Sequence, residues 1–150
     1  MRVVLDTNLL VSYLISHRPP IATLIDFHLM RDDFALLTSF ALLEELNRVL
    51  QYPKLGRYYD DQTRLRFIAL IAALGEIVDV PEQVPRICRD PDDDQVIACA
   101  VFGEADIIIS GDNDLLDLGQ VGRVPIISAR RFLALLETTP NYRRYSNETS

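Results

Sequence analysis

The sequence predicts a single α/β domain, a three-layer arrangement with a central parallel sheet of about five strands between helices. Three observations predict it. Short apolar runs without polar alternation recur at Arg2 to Leu5, Phe34 to Thr38, Ile77 to Val80, Ile107 to Ile109 and Val124 to Ile127, as strands buried on both faces require. Segments with helical character lie between them, and that alternation favours right-handed crossovers between parallel strands. The 150 residues, 49% hydrophobic and 25% charged, suit one domain with a real core.

Taken in order, the first strand is followed by helical segments at Leu9 to Ile15 and Ile21 to Met30, the second opened by Pro19-Pro20. After the second strand, Ser39 can cap a helix over Phe40 to Leu50, which Pro53 closes. Asp60 or Asp61 opens a helix through Leu74, with Leu65, Ile68, Ile71 and Ala72 on one stripe and Gly75 at its end. Beyond the third strand come a helix over Asp93 to Phe102, the fourth strand, a short helix over Asp112 to Leu118, the fifth strand and a helix over Ala129 to Leu136. The domain is expected to span residues 1–140. Asn141 to Ser150 are polar and without periodicity, and are expected to form a flexible tail.

Composition excludes several classes. Val3-Val4-Leu5 reads as a core strand and not as the apolar part of a signal peptide, and no apolar run approaches the roughly 18 residues that span a bilayer. A cytoplasmic protein without a membrane partner is expected. Cys88 and Cys99 form no CxxC pair and have no histidine nearby, so reduced thiols are expected rather than a zinc site. The net charge of −7 argues at first against nucleic acid. Its distribution qualifies that: Asp90 to Asp117 holds nine acids and no Lys or Arg, while Arg48, Lys54, Arg57, Arg64 and Arg66 share one stretch.

The carboxylates fall where such a fold places ligands, outside the C-terminal ends of the strands. Asp6 ends the first strand, and Asp112 and Asp114 follow the fourth in Ser110-Gly111-Asp112-Asn113-Asp114, where Gly111 would permit a sharp turn. On the third helix, Leu42, Leu43, Leu46, Val49 and Leu50 form an apolar stripe at about 100° per residue. Glu44 points away from it, whereas Glu45 lies on its flank and can face a crevice. In Asp90-Pro91-Asp92-Asp93-Asp94, Asp93 is a plausible N-cap and Asp94 falls in the first turn, although their angles do not cleanly separate them. Several carboxylates at one sheet edge repel unless a cation or a shared proton offsets them. With oxygen ligands alone, the natural cation is Mg2+ or Mn2+.

These pieces, Asp6-Thr7-Asn8, Ser39 with Glu45-Leu46, Asp94-x-x-Ile97-Ala98-x-Ala100 and Ser110-Gly111-Asp112-x-Asp114-Leu115-Leu116, resemble the PIN-domain family in order and spacing from about Arg2 to Leu136. The resemblance is closest to the bacterial group described as VapC-like toxins of toxin–antitoxin systems. It implies a strand order of 3-2-1-4-5, an acidic quartet of Asp6, Glu45, Asp94 and Asp112 assisted by Asp114, and supporting roles for Asn8 and Ser110. It further implies a metal-dependent endoribonuclease in which Asp6, Asp94, Asp112 and Asp114 are the candidate metal ligands.

Water attack without help from the 2′-hydroxyl would leave a 3′-hydroxyl and a 5′-phosphate. Arg48, Lys54 and Arg57 are the candidates for phosphate contacts, against a reading of them as solvated charges. A cognate antitoxin, docked on helices near Ile21 to Met30 and Phe40 to Tyr58, and a homodimer are the implied protein partners. The alternative is a catalytically silent PIN-like module that binds RNA or protein. Phosphatases with Asp-x-Asp after the first strand are disfavoured by Asn8, and response-regulator receivers by the sole Lys54.

Overall fold

The computed structural model describes residues 1–138, so the expected tail over Asn141 to Ser150 lies outside the described residues. The chain runs β1 (Arg2–Leu5), α1 (Thr7–Ser16) and α2 (Ile21–Thr23), which continues as a π-helical turn over Leu24–Leu29. Next come β2 (Ala35–Thr38), α3 (Phe40–Leu50), a 3-10 turn at Pro53–Leu55, α4 (Asp61–Leu74) and β3 (Glu76–Ile77). The C-terminal half consists of α5 (Pro91–Phe102), β4 (Ile107–Ile109), α6 (Asn113–Leu118), β5 (Gln120–Val121), β6 (Val124–Ile127) and α7 (Ala129–Thr138).

The sheet order is β3-β2-β1-β4-β6-β5, parallel throughout except for the β5–β6 hairpin. The expected five-strand order is thus present, with a sixth strand added at the edge. That strand comes from Gly119 and Gly122, which adopt positive φ (77° and 57°) and let the chain reverse into β6.

Alternation along the strands builds two cores. Val3, Leu5, Leu36, Ile107, Ile109 and Ile127 face one layer, with Leu46, Phe67, Ile71 and Phe132 from the helices. Val4, Leu37, Ile108 and Ile126 face the other, with Val96, Ile97, Cys99, Ala100 and Leu115. Apolar burial on both faces is what the unalternated runs encode. Both cysteines are unpaired, and burial of Cys99 pushes its thiol up to about 12.

Three local expectations shift. The third strand stops at Ile77 instead of continuing to Val80. Its partner β2 ends where Ser39 caps α3, and Val78 donates the last bond, to Thr38 O at 2.8 Å. On α4 the inward pair is Phe67 and Ile71, while Leu65 is exposed on the outer face. Gly111 is not sterically required: it avoids positive φ, and an added Cβ would meet only Leu9, at 3.5 Å.

Gly103, by contrast, ends α5 where a Cβ would come within 2.8 Å of both Val78 and the Cys99 carbonyl. Gly103→Ala should therefore destabilise by about 1–3 kcal/mol, as overpacking does. Gly111→Ala should stay within about 0.5 kcal/mol of the parent. Urea unfolding of the two variants side by side checks the contrast, and equal stabilities would contradict it.

Candidate active site

The C-terminal ends of β1 and β4, neighbours in the middle of the sheet, carry the first part of the site. Asp6 continues β1 by donating its N–H to Ile109 O (2.9 Å), then caps α1. One of its oxygens accepts from the Asn8 N–H (3.4 Å) and the other from the Ser110 hydroxyl (2.8 Å). Ser110 is fully buried, and its Oγ accepts in turn from the Asp112 N–H (2.9 Å). Asp112 caps α6, taking the N–H of Asp114 at 2.7 Å and that of Leu115 at 3.4 Å. A chain of hydrogen bonds therefore runs from Asp6 to Asp112 across the two central strands. Burial pushes the Asp6 carboxyl above its ordinary value; the bonds from Ser110 and Asn8 oppose this, and the charge on Asp112 adds to it.

Glu45 enters from α3. It is half-buried and accepts from the Thr7 hydroxyl at 3.1 Å, while Glu44 is exposed as its helical position dictates. Burial pushes Glu45 up to about 7, followed by the charge on Asp92 and, more weakly, that on Asp6; Thr7 and Arg48 oppose. Thr7, itself buried, is a member of the site that sequence reasoning did not single out. Its signal is a hydroxyl at the first position of the helix that follows a buried strand.

The third contribution comes from α5, which begins earlier than the sequence suggests. Asp90, not Asp93, is the N-cap, accepting from the Asp92 N–H at 2.9 Å, and Pro91 occupies the first helical position. Asp93 and Asp94 are both buried, at 6% and 2% exposure, but are held in different ways. Burial pushes Asp93 up to about 7, followed by the charges on Asp112 and Asp6, with Asp90 and Asp114 adding. Asp93 thus shares its field with the acids of β1 and β4.

For Asp94, burial would raise the carboxyl, yet it sits below its ordinary value. The N–H groups of Cys88 (2.7 Å) and Ile87 (2.9 Å) donate to one oxygen, and the Cys88 thiol assists. Its other oxygen faces Arg86 Nε at 3.3 Å as an ion pair without an aligned hydrogen bond. Asp94 therefore ties the loop before α5 to the helix.

Among the other predicted positions, Asp114 is exposed and reaches the site through its N–H to Asp112 and its charge on Asp93. Asn8 contributes its backbone N–H. Arg48 is exposed and paired with Asp92 at 3.1 Å, while Lys54 and Arg57 are exposed beyond it.

Among the described residues, no three His, Cys, Asp or Glu side chains close around one point as a ready-made metal cage. The donor set nonetheless suits a hard cation. It is all oxygen, its members Asp6 and Asp93 are buried, and its acids repel one another, which is the condition a divalent ion relieves. Mg2+ keeps several of its waters, so carboxylates spaced too widely to meet directly can still share it.

Fold and site together define a mostly parallel α/β sandwich with carboxylates at the switch point between its central strands. The chain belongs to the PIN-domain family, whose model matches residues 2–114. Members of that family are generally nucleases, and those nucleases generally use divalent metals. The uncharacterised protein MJ1680 of Methanocaldococcus jannaschii is 31% identical over 119 residues, 79% of this chain and 75% of its own length. Among solved structures, VapBC2 of Rickettsia felis, bound to a DNA fragment from its promoter, superposes with a TM-score of 0.60 at 12% identity. That match covers 85% of this chain and 98% of the other. No helix among the described residues is long and apolar enough to cross a membrane.

Asp93 and Glu45 titrate near 7 in the fold but near 4 in an unfolded chain. Between those values the folded state holds more protons, so their contribution to stability is full below about pH 4 and lost as pH rises through 7. The metal-free protein should therefore melt at a lower temperature at pH 8 than at pH 5. Asp93→Asn should flatten that slope and raise the melting temperature at pH 8. Asp94→Ala should instead cost about 1–3 kcal/mol at either pH, because it strips an acceptor from two backbone N–H groups. Thermal melts in chelator check all three, and matching behaviour of the two variants would refute the division of roles.

Proposed function

We propose that this protein is a Mg2+- or Mn2+-dependent endoribonuclease that hydrolyses RNA phosphodiester bonds, and that it acts as the toxin of a toxin–antitoxin pair. One observation carries the enzymatic part: the buried Asp6 and Asp93 and the partly buried Asp112, from the end of β1, from α5 and from the turn after β4, lie in one another's field at the end of the sheet, with Asp6 tied to Asp112 through Ser110. Bound there, the ion would lower the pKa of an attacking water and screen the charge that develops on the scissile phosphate.

The chain's own residues do the positioning. Ser110 and the Asn8 N–H fix the two oxygens of Asp6, so that this carboxylate is oriented before any ion arrives. Thr7 does the same for Glu45. Asp6 and Asp93 are the inner ligands in this reading, while Asp112 and Glu45 orient water at the margin and Asp114 adds charge. Family likeness points to Asp94, but its hydrogen bonds from Ile87 and Cys88 and its ion pair with Arg86 favour a bracing role, with Asp93 taking the ligand's place. No histidine lies at the site, so these carboxylates would receive the proton of an attacking water whose acidity a bound ion would supply.

The toxin reading rests on shared fold with VapBC2, and it implies a cognate antitoxin as partner. A homodimer is compatible with it.

The test is cleavage of labelled single-stranded RNA with Mg2+, with Mn2+ and with EDTA, by the parent, Asp6→Asn, Asp93→Asn and Asp94→Asn. Cutting should require the ion and leave 5′-phosphate ends. It should fall at least 100-fold in Asp6→Asn and Asp93→Asn, on the scale of about 2.7 kcal/mol or more in the transition state. Asp94→Asn should retain more activity than either. No cutting by the folded parent with either ion would overturn a general single-strand ribonuclease and favour the silent binding module or a nuclease that accepts only one structured RNA.

A further inference from the structure

The stretch from Leu46 to Tyr59 carries Arg48, Lys54 and Arg57 and no acid, in a chain of net charge −7. It leaves the site directly. Glu45, Arg48 and Tyr52 are spaced three and four residues apart along one face of α3 and its end, and Arg48 bridges to Asp92, the neighbour of Asp93. Arg48 donates to Asp92 at 3.1 Å, and the charges of Asp92 and Glu45 both act on its guanidinium.

Beyond Tyr52 the chain makes two tight turns, with Leu55 N–H donating to Tyr52 O and Tyr58 N–H to Leu55 O. These bring up Lys54 and then Arg57, whose guanidinium lies 4.8 Å over the Tyr58 ring and donates to its hydroxyl at 2.7 Å.

The three tyrosines of this stretch divide by task. Tyr59 is half-buried, packs against the core and donates its hydroxyl to Leu50 O. Tyr52 and Tyr58 are 40% and 44% exposed and serve no core. Aromatic rings laid in the open between cations, leading away from a cluster of acids, match a flexible polyanion that also offers flat, stackable faces.

We propose that Arg48, Tyr52, Lys54, Arg57 and Tyr58 form a platform for the single-stranded RNA flanking the bond to be cut, with the tyrosines stacking bases and the cations taking phosphates. Arg48 is the hinge of this arrangement: its guanidinium exchanges Asp92 for the phosphate nearest the site. A base-paired helix would not serve, because its bases are already stacked on one another and its grooves present edges, not faces. The proposal deepens the ribonuclease reading and rests on it for the identity of the polymer.

The test separates binding from cutting. Affinity of the full chain for a labelled single-stranded RNA is read by fluorescence anisotropy in EDTA across a salt series, and cleavage of the same RNA is read with Mg2+. Tyr52→Ala and Tyr58→Ala should each weaken binding about fivefold or more, and Tyr52→Phe should restore it, since stacking needs the ring and not the hydroxyl. Removing Arg48, Lys54 and Arg57 together should flatten the salt dependence by about 2 in log–log slope, at ~0.7 per phosphate on single strands. A duplex of the same sequence should bind more weakly and be indifferent to Tyr52→Ala.

Unchanged affinity in the tyrosine variants of a parent that binds and cuts overturns the platform and leaves the nuclease intact. Binding by the parent that these variants weaken, without cutting in any metal, upholds the platform and overturns the nuclease. A folded parent that neither binds nor cuts RNA overturns both and returns the surface to a protein partner.

Discussion

Like charges crowded into a poorly hydrated corner are the constraint around which this molecule is arranged. Asp6, Asp93 and Glu45 are withdrawn from water at the end of the sheet, and each is raised in part by the charge of another acid. A fold gains nothing in stability from such a grouping. What holds it in place is the rest of the structure: two apolar layers, a central pair of strands that are apolar on both faces, and hydrogen bonds from Ser110, Asn8 and Thr7 that leave Asp6 and Glu45 little freedom to swing away. The repulsion is tolerable because the surrounding packing is rigid, and useful because a cation can convert it into affinity.

The framework was legible because its signals are local and redundant. Unalternated apolar runs, Ser39 before α3 and Asp60 before α4 point the same way as the burial and the caps. Asp6, Asp112 and Glu45 could be placed from the ends of strands and one helical face. The extra strand β5 was missed because Gln120–Val121 is two residues long and owes its existence to a turn, not to an apolar run.

Asp93 and Asp94 were inseparable by periodicity for a different reason. Periodicity assumes one wet face, and α5 is enclosed on most sides by β1, β2, β4 and α3. Both acids are therefore buried, and only the tertiary path of the loop through Ile87 and Cys88 decides which of them it engages. That path is written in long-range contacts which no window of sequence contains. Thr7 escaped notice similarly, since a threonine after a strand has a bland use at a helix start, and its partner lies 38 residues away.

The sheet ends in ways that limit how this fold can meet other chains. On one side stands β3, only two residues long and flanked by the Arg2–Glu76 ion pair; on the other, the reversed two-residue strand β5. Neither rim offers the long, flat row of open amides and carbonyls that invites strand addition or fibrillar stacking. Self-association and docking are thereby directed to helical and loop surfaces, where side-chain chemistry, rather than the generic backbone, selects the companion.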